Sequence, residues 1–412
     1  MSRTPDRGAV PWRNRTVQVV LASTLLAPLG VPLVAPALPV VRDAFGLTDA
    51  QASLLVSAYF LVGIVVSPFL GLLADRVGRK RVLVPALVVF SLAGLAGYLA
   101  PTYPVLLGLR VVQGTAAAAL FVTTVTIIGD AFEGVERNAV LGVNVAALSL
   151  GAAVFPVLGG ALAAVAWNVP FLAYALGLPV ALVAWLALEE PAETRTRSNG
   201  HLDASTGGIG TYFRGAVSTL TPGMGALLAT AFLTEFLLFG TLVTALPFLL
   251  TAAFGLAPLY IGVILMTAEA GAVVAATASG RLASVLTNGR LIAIGFGCYG
   301  LSLLGVYVAP SPVVVALAVL VFGVGLGLSM PAVDAGVSER VTQEYRAGLL
   351  GLRNSTTFFG RATGPVVFVT AAAIVGYRPL LAVSAGGVLV VAVVAALTTR
   401  GAVVTQDSEP SV

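Results

Sequence analysis

Histidine, cysteine and lysine each occur once in this 412-residue sequence, as His201, Cys298 and Lys80. A single cysteine excludes a disulfide framework, and no thiolate or imidazole metal site can be assembled from one cysteine and one histidine. The lysine lies between two arginines and not in a Gly-Lys-Ser/Thr loop, which excludes the phosphate-binding loop of an ATP-driven pump. His201 falls in a polar segment, so carboxylates are the side chains left to carry protons. These absences argue against an enzyme, and we expect no metal and no cofactor.

Charged residues are also scarce. They make up 10% of the sequence, whereas hydrophobic residues make up 58%, and the mean hydropathy is +1.00. A water-soluble globule cannot bury this much apolar surface, so the composition predicts a membrane protein. The formal net charge of +4 does not indicate a nucleic-acid partner, because the basic residues occur singly between apolar runs and not on one solvated face.

Charge-free segments of the sequence define its expected architecture. A bilayer requires ~20 apolar residues per helix, and dividing the apolar runs at turns predicts an all-α protein of about twelve transmembrane helices, the first near residues 17–41. One long polar segment separates six of these helices from the other six. The predicted divisions are a cytoplasmic tail (1–16), an N-terminal six-helix lobe (17–188), a cytoplasmic linker (189–224), a C-terminal six-helix lobe (225–399) and a cytoplasmic tail (400–412).

The basic residues predict how the chain is oriented. Of the 22 lysines and arginines, all but four fall in loops or helix ends on one side of the predicted membrane. Arg42 and Arg378 lie on the other side, and Arg110 and Arg361 lie within spans. Cytoplasmic loops carry an excess of basic residues, so we expect a multi-pass plasma-membrane protein with both termini in the cytoplasm.

The two halves of the sequence resemble each other at an offset of 209 residues. Glycine is common here, but a register shared across several spans is hard to obtain by chance. Parallel repeats of six helices are typical of two-lobed transporters with the binding site between the lobes. The matching positions include Gly114 and Gly323, Arg137 and Arg346, Gly151 and Gly360, Pro156 and Pro365, and the tripeptides 45–47 and 254–256.

The segment GLLADRVGRKRV, residues 71–82, joins the second and third predicted spans. Its glycines permit a tight turn and its basic residues hold the loop inside, as an ordinary basic loop would also do. The segment resembles the loop signature G-x-x-x-D-R-x-G-R-[RK] of the major facilitator superfamily, and the resemblance extends over essentially the whole chain. It implies twelve helices in two lobes that rock about a central cavity. In the second half, Ser284 occupies the position that Asp75 occupies in the first, which weakens the case that the corresponding loop also acts in gating. The resemblance assigns conformational gating to Gly71, Asp75, Arg76, Gly78, Arg79 and Lys80, and to Asp130 at the end of the fourth span.

The fourth span contains LRVVQGTAAAAL, with Arg110, Gln113 and Gly114. This segment resembles the R-x-x-Q-G motif of the same superfamily, whose arginine is linked to proton coupling. A charge near the bilayer centre costs ~2.5–3.5 kcal/mol on insertion scales, so we expect Arg110 to face protein or water. The alternative is that Arg110, ~10 Å below the outer surface, extends its side chain to the headgroups.

The fifth span contains GAAVFPVLGG, residues 151–160. It resembles the G-x-x-x-G-P-x-x-G-G motif of drug/proton antiporters at Gly151, Pro156, Gly159 and Gly160. Small residues let helices approach closely, and proline bends the span at the lobe interface. Phe155 occupies the second glycine position. Two alternatives stay open: a seam tightened by the larger side chain, or a transporter that is not an antiporter.

Two carboxylates lie within predicted spans of the second half, Glu235 in the seventh and Glu269 in the eighth. A carboxylate in a span can alternate between protonated and ionised as lobe movement changes its access to water. Together with Arg110 and Arg361, they are the candidates for proton coupling. The alternative is a static arginine–glutamate pair, such as one with Arg361, that only holds helices together. The predicted substrate-cavity residues are Tyr59, Gln113, Asn144, Glu235 and Glu269.

The sequence therefore predicts a secondary active transporter, with proton-coupled efflux of hydrophobic or amphipathic small molecules by alternating access as the first hypothesis. A proton symporter or facilitator for a sugar, amino acid or organic anion is the alternative, with Arg110 and Arg361 as anion ligands. A non-transporting membrane sensor or scaffold is a third, although the short tails offer no signalling domain. The expected partners are a small-molecule substrate, protons and the lipid bilayer, with the chain acting as a monomer.

Overall fold

The computed structural model describes residues 10–188, 221–340 and 346–404, and within these ranges it is helical with no strand. The predicted tail residues 1–9 and 405–412 and the linker residues 189–220 lie outside the described part. The described α-helices are α1 (Arg15–Leu26), α2 (Leu38–Phe45), α3 (Asp49–Val77), α4 (Arg79–Ala96), α5 (Tyr103–Ala131), α6 (Gly134–Ala163), α7 (Gly177–Ala187), α8 (Pro222–Leu237), α9 (Leu246–Phe254), α10 (Pro258–Ala283), α11 (Asn288–Val308), α12 (Pro312–Arg340), α13 (Arg346–Val375) and α14 (Tyr377–Val404).

The helices are long enough to form a membrane-spanning bundle. Within the described ranges, 11 segments have the length and hydropathy to cross a bilayer, and a shorter apolar segment, Arg15–Leu29, begins the first crossing. Many large apolar side chains are exposed on the outside of the bundle, where lipid would cover them. We call the end of the bundle where α3 meets α4 and α5 meets α6 the basic end, and the opposite end, where α2 meets α3, the far end.

The first crossing is broken, although the sequence predicts one continuous span. Short 3₁₀ turns at Ala27–Leu29 and Ala35–Ala37 separate α1 from α2. Proline has no N–H and cannot bond the carbonyl four residues earlier, and four prolines fall within this crossing, at positions 28, 32, 36 and 39. Backbone carbonyls in the break are therefore available to side chains of other helices.

The seventh crossing changes its winding in the middle. Between α8 and α9 the backbone is π-helical over Leu238–Ala245. Pro247 follows two residues after this segment and withholds a backbone donor from it. Such π-helical turns inside α-helices are frequent at functional sites.

Buried apolar side chains form two cores. One is built mainly by residues of the first six crossings and the other mainly by residues of the last six. Each core also takes in side chains from the opposite lobe: Phe239 and Phe358 lie in the first core, and Ala35 lies in the second. The lobes meet chiefly where α3 packs on α13 and where α6 packs on α10.

The internal repeat of the sequence is also a repeat of contacts. Gly46 and Gly255, 209 residues apart, end α2 and α9 with φ of +62° and +61°. A Cβ on Gly114 would collide with the Tyr59 carbonyl, and a Cβ on Gly323 would collide with the carbonyl of Ala268. Both members of the second pair lie 209 residues after their counterparts. The two lobes therefore use the same close helix approach.

Candidate functional site

A buried ion pair joins two helices of the second lobe, α8 and α13. Arg361 of α13 donates from Nε to Glu235 Oε2 at 2.9 Å and from Nη2 to Oε1 at 2.7 Å. The Glu235 side chain is 4% exposed and that of Arg361 is 26% exposed. A bidentate pair of this kind is geometrically specific and strong. The structure thus brings together two of the residues predicted for proton coupling.

Three phenylalanine rings surround the Arg361 guanidinium. Its Cζ lies 5.3 Å from the ring centroid of Phe239, 5.5 Å from that of Phe60 and 5.8 Å from that of Phe358. A cation within about 6 Å of an aromatic face is attracted by the ring quadrupole. Phe60 belongs to the first lobe and contacts the Phe239 ring edge-on at 4.9 Å. The ion pair is therefore covered by a side chain that lobe movement would displace.

Glu269 of α10 is a carboxylate without a bonded partner. Its side chain is half-buried and lies within electrostatic range of Glu235. Among the described residues, none forms a hydrogen bond or an ion pair with it. Of these two acids, Glu235 is therefore paired with Arg361, and Glu269 has no such partner in the described ranges.

Close packing of α10 on α12 fixes the position of Glu269. The Ala268 carbonyl meets Gly323 of α12, and the Leu320 carbonyl meets Gly271 of α10, so neither glycine has room for a Cβ. Small residues at such a seam let transmembrane helices approach closely. Gly271 and Gly323, the second of which repeats Gly114 of the first lobe, therefore fix how α10 packs on α12 beside Glu269.

Arg110 is the centre of a second polar cluster, within the first lobe. The residue is 1% exposed, so the alternative in which it extends to the headgroups is wrong in this structure. Its guanidinium donates to the Leu55 carbonyl at 3.1 Å, the Gly30 carbonyl at 2.5 Å and Gln113 Oε1 at 2.6 Å. It also lies 4.6 Å from the Tyr59 ring centroid. All these acceptors are neutral groups, and through them Arg110 ties α3 and α5 to the broken first crossing.

The predicted cavity residues occupy different places. Gln113 is 1% exposed; its Oε1 accepts from Arg110 and its Nε2 donates to the Phe90 carbonyl, so both ends of its amide are bonded inside the lobe. Asn144 accepts a hydrogen bond from Thr24 at 2.6 Å and lines a cavity of about 90 Å³ between the first, fourth and fifth crossings. Tyr59 packs against Phe60, with ring centroids 5.0 Å apart. Tyr59 thus contacts one of the rings that surround Arg361.

The residues predicted for gating lie at the basic end. Gly78 joins α3 to α4 with φ of +108°, and Arg76 is exposed. Arg79 Nε donates to Asp130 Oδ2 at 2.9 Å, and Lys80 donates to the Leu188 carbonyl at 2.7 Å. The loop therefore holds the ends of α5 and α7. Gly71 lies within α3, and the side chain of Asp75 lies outside the described part of the structure.

The second lobe repeats the Arg79–Asp130 contact without the ion pair. Asn288 donates to the Glu339 carboxylate at 3.4 Å, and both residues lie 209 positions after their first-lobe counterparts. An amide replaces the guanidinium, so the equivalent contact is weaker.

The glycines of the antiporter-like motif lie at helix contacts. A Cβ on Gly159 would collide with the Leu33 carbonyl in the broken first crossing, and a Cβ on Gly160 would collide with the Pro258 carbonyl of α10. The carbonyl of Pro156 in turn meets Gly262 of α10, and Gly151 lies close to the Leu25 carbonyl. The motif therefore forms part of the lobe interface at the far end. Phe155 is 7% exposed and belongs to the core of the first lobe.

Several contacting residues were not predicted from the sequence. Tyr174 donates to the Leu29 carbonyl at 2.7 Å and accepts from Arg110 at 3.2 Å. At the far end, the Tyr377 hydroxyl of the second lobe donates to Asp49 of the first at 2.5 Å. Isolated tyrosines at the ends of apolar runs gave no signal for these roles.

Comparison with known proteins identifies a family and two relatives of this chain. The family model of the Major Facilitator Superfamily matches residues 20–365 and 227–411. The chain is 27% identical over 361 residues to the bacillibactin exporter of Bacillus subtilis (strain 168), covering 84% of this chain and 86% of that protein. It is 30% identical over 184 residues to the quinolone resistance protein NorA of Staphylococcus aureus (strain MRSA252), covering 44% of this chain and 47% of NorA.

Solved structures share the fold at low sequence identity. The nucleoside transporter NupG aligns with a TM-score of 0.72 and 15% identity, covering 94% of this chain and 99% of that one. The human organic anion transporter MFSD10 (TETRAN) aligns with a TM-score of 0.68 and 19% identity, covering 94% and 100%. At these identities the likeness concerns the fold alone.

Proposed function

The chain belongs to the Major Facilitator Superfamily, and from this we propose that it is a proton-coupled exporter of hydrophobic or amphipathic small molecules. Its family and relatives make it a transporter and not an enzyme. Two relatives are named as an exporter and a resistance protein, which favours efflux. We further propose that it works in the plasma membrane with the basic end in the cytoplasm.

The observation that carries the proposal is the unpartnered Glu269 beside the neutralised Glu235–Arg361 pair. A proton carrier must lose and regain its proton as the lobes rock, and a carboxylate already held by an arginine is poorly suited to that. Glu269 is therefore the proposed proton carrier. Glu235 and Arg361 form the wall beside it, and Phe60 of the other lobe covers them.

Lobe movement would couple substrate binding to proton release. When the lobes separate at the pair, Phe60 leaves Phe239 and Phe358, and an apolar pocket with one titratable acid is exposed. A hydrophobic or amphipathic compound would bind against the rings as Glu269 releases its proton. The return movement would cover the rings again after the acid is reprotonated from the other side.

The organic-anion alternative receives less support from these contacts. Arg361 is neutralised by Glu235, and Arg110 is buried and bonded inside the first lobe. Neither arginine presents an unpaired charge to a substrate, so the predicted anion ligands are already occupied.

A susceptibility panel in cells, followed by transport in proteoliposomes, tests the proposal. The panel identifies compounds to which cells become resistant when they express the wild-type protein. These compounds are added to proteoliposomes loaded with a pH-sensitive dye, and substrate-driven proton release is recorded. We expect Glu269→Gln to abolish proton release and concentrative export while retaining substrate exchange. Glu136→Gln, an exposed acid at the basic end, is the matched control. Proton release at the wild-type rate in Glu269→Gln would remove this residue from the coupling mechanism.

A further inference from the structure

A groove runs along the outer surface of the first lobe, between α3, α4 and α5. Its volume is about 440 Å³, and it is open toward the surroundings of the bundle. Apolar side chains that are 41–47% exposed line it: Leu73, Val77, Val89 and Val112. Since α3, α4 and α5 are membrane-spanning, the groove opens to lipid and not to water.

The sequence explains why a groove forms here. Pro85 lies inside α4, where it cannot bond the carbonyl of Arg81, and proline at such a position bends a helix. On the facing helix α5, Ala116 and Ala119 line the floor with side chains too small to fill the space. The counterpart of Pro85 in the second lobe, 209 residues on, is Ile294.

One end of the groove is basic. Arg81 lines it and is exposed at the basic end of the bundle. From Arg81 to Val89 the helix rises about 12 Å, which is most of the ~15 Å depth of one leaflet's hydrocarbon. The groove thus offers an apolar channel of leaflet depth below a cationic rim.

We propose that this groove binds an anionic phospholipid, with an acyl chain along α4 and α5 and the headgroup phosphate at Arg81. An acyl chain matches the apolar walls, and the phosphate matches the guanidinium. The site lies outside the Glu235–Glu269 region, so the proposal is independent of the substrate and the coupling ion.

Native mass spectrometry of the purified full chain with mixed phosphatidylglycerol and phosphatidylcholine tests the site. We expect about a five-fold excess of phosphatidylglycerol adducts in the wild type, the preference that one basic side chain gives near a headgroup. Arg81→Gln should bring the two lipids to equal occupancy. Arg290→Gln, at the position 209 residues on, should keep the excess.

A second pair of variants tests the apolar part. Val112→Trp fills the groove from α5 and should lose adducts of both lipids. Val105→Trp should retain them, because Val105 is 45% exposed on the same helix but does not line the groove. Both positions face outward, so neither variant should disturb the core.

Four results would overturn the proposal. Arg81→Gln and Arg290→Gln could lower the phosphatidylglycerol excess equally, or Val112→Trp could retain as much lipid as Val105→Trp. Occupancy by the hydrophobic dye Hoechst 33342 that phosphatidylglycerol does not displace would assign the groove to transported compounds. A dimer in the wild type that is lost only in Val112→Trp would assign it to a second copy of the chain.

Discussion

The Glu235 carboxylate receives two hydrogen bonds from Arg361, so removing either side chain leaves the other charge buried without its partner. Breaking such a pair typically costs ~3–5 kcal/mol, whereas replacing both partners costs much less. We expect Glu235→Gln to lower the unfolding temperature in detergent sharply. The double variant Glu235→Gln/Arg361→Gln should recover much of the loss.

A more exposed pair provides the control for this measurement. Arg42 bonds Asp43, whose side chain is 63% exposed, and exposed ion pairs contribute ~0–1 kcal/mol. Arg42 also bonds Asp49, so Asp43→Asn leaves it with a partner and should shift the unfolding temperature little. If the double variant at the buried pair were as unstable as Glu235→Gln, the loss could not be attributed to an unpaired charge.

The Arg110 cluster makes a separate prediction. Lysine has a single ammonium and cannot reach the carbonyls of Gly30 and Leu55 and the side chain of Gln113 together, as the planar guanidinium does. We expect Arg110→Lys to lower the unfolding temperature clearly. Arg137→Lys, an exposed position at the basic end, should change it little, and equal effects of the two variants would contradict the structural role of Arg110.

The sequence identified the charged residues of the site but not their surroundings. Charges within apolar runs are rare, so Glu235, Glu269 and Arg361 were evident, and the static pair was one of the alternatives. The three rings around Arg361 gave no signal, because the sequence contains 19 phenylalanines and any of them could face lipid. Lipid-facing and protein-facing rings are equally apolar in a membrane protein.

At the scale of helices, the approach of α3 to α5 depends on one missing side chain. A Cβ on Gly114 would collide with the Tyr59 backbone, whereas nothing lies within 4 Å of a Cβ on Gly108 of the same helix. We expect Gly114→Ala to reduce both thermal stability and transport. Gly108→Ala should be neutral or stabilising by up to ~1 kcal/mol, the helix-propensity gain. Equal stability of the two variants would show that α3 can move away from α5 without lowering the stability of the protein.

The broken first crossing shows what sequence patterns do not reveal about an element. Hydropathy predicted one span near 17–41, and the first crossing does consist of these residues. Its prolines were visible, but a transmembrane helix tolerates proline when neighbouring groups satisfy the freed carbonyls. Those neighbours are Arg110 and Tyr174, which come from distant parts of the chain. The break therefore depends on tertiary contacts that local sequence does not contain.

At the scale of the whole molecule, the Tyr377–Asp49 hydrogen bond joins the lobes at the far end. We expect Tyr377→Phe to increase the population in which the lobes separate there. Spin labels at Leu47→Cys and Leu256→Cys, in a Cys298→Ser background, would report this as a longer distance by double electron–electron resonance.

Tyr103 provides the matched control. Its hydroxyl bonds the Gln51 carbonyl at the same end but within one lobe, so Tyr103→Phe should leave the distance between the lobes unchanged. Identical distance distributions in wild type and Tyr377→Phe would show that this bond does not hold the lobes together.

The sequence also predicted the overall plan, through the 209-residue repeat and the apolar runs. The paired glycines Gly46 and Gly255 confirm that register in the backbone. Which helices join the lobes was not predictable, because a helix that packs on the other lobe is as apolar as one that packs on lipid. The orientation of the basic end stays a prediction.

We expect the unequal contacts at the basic end to make the two halves respond differently to ionic strength. The Arg79–Asp130 attraction is between two full charges, one of them on a half-exposed side chain, and at 0.15 M salt such charges are screened over about 8 Å. The Asn288–Glu339 contact involves a neutral amide and is much less sensitive to dissolved electrolyte. With the basic end in the cytoplasm, as we propose, a salt-rich cytoplasm would loosen the amino-terminal contact more than the carboxy-terminal one, and osmotic stress would bias the transport cycle through one side of the molecule.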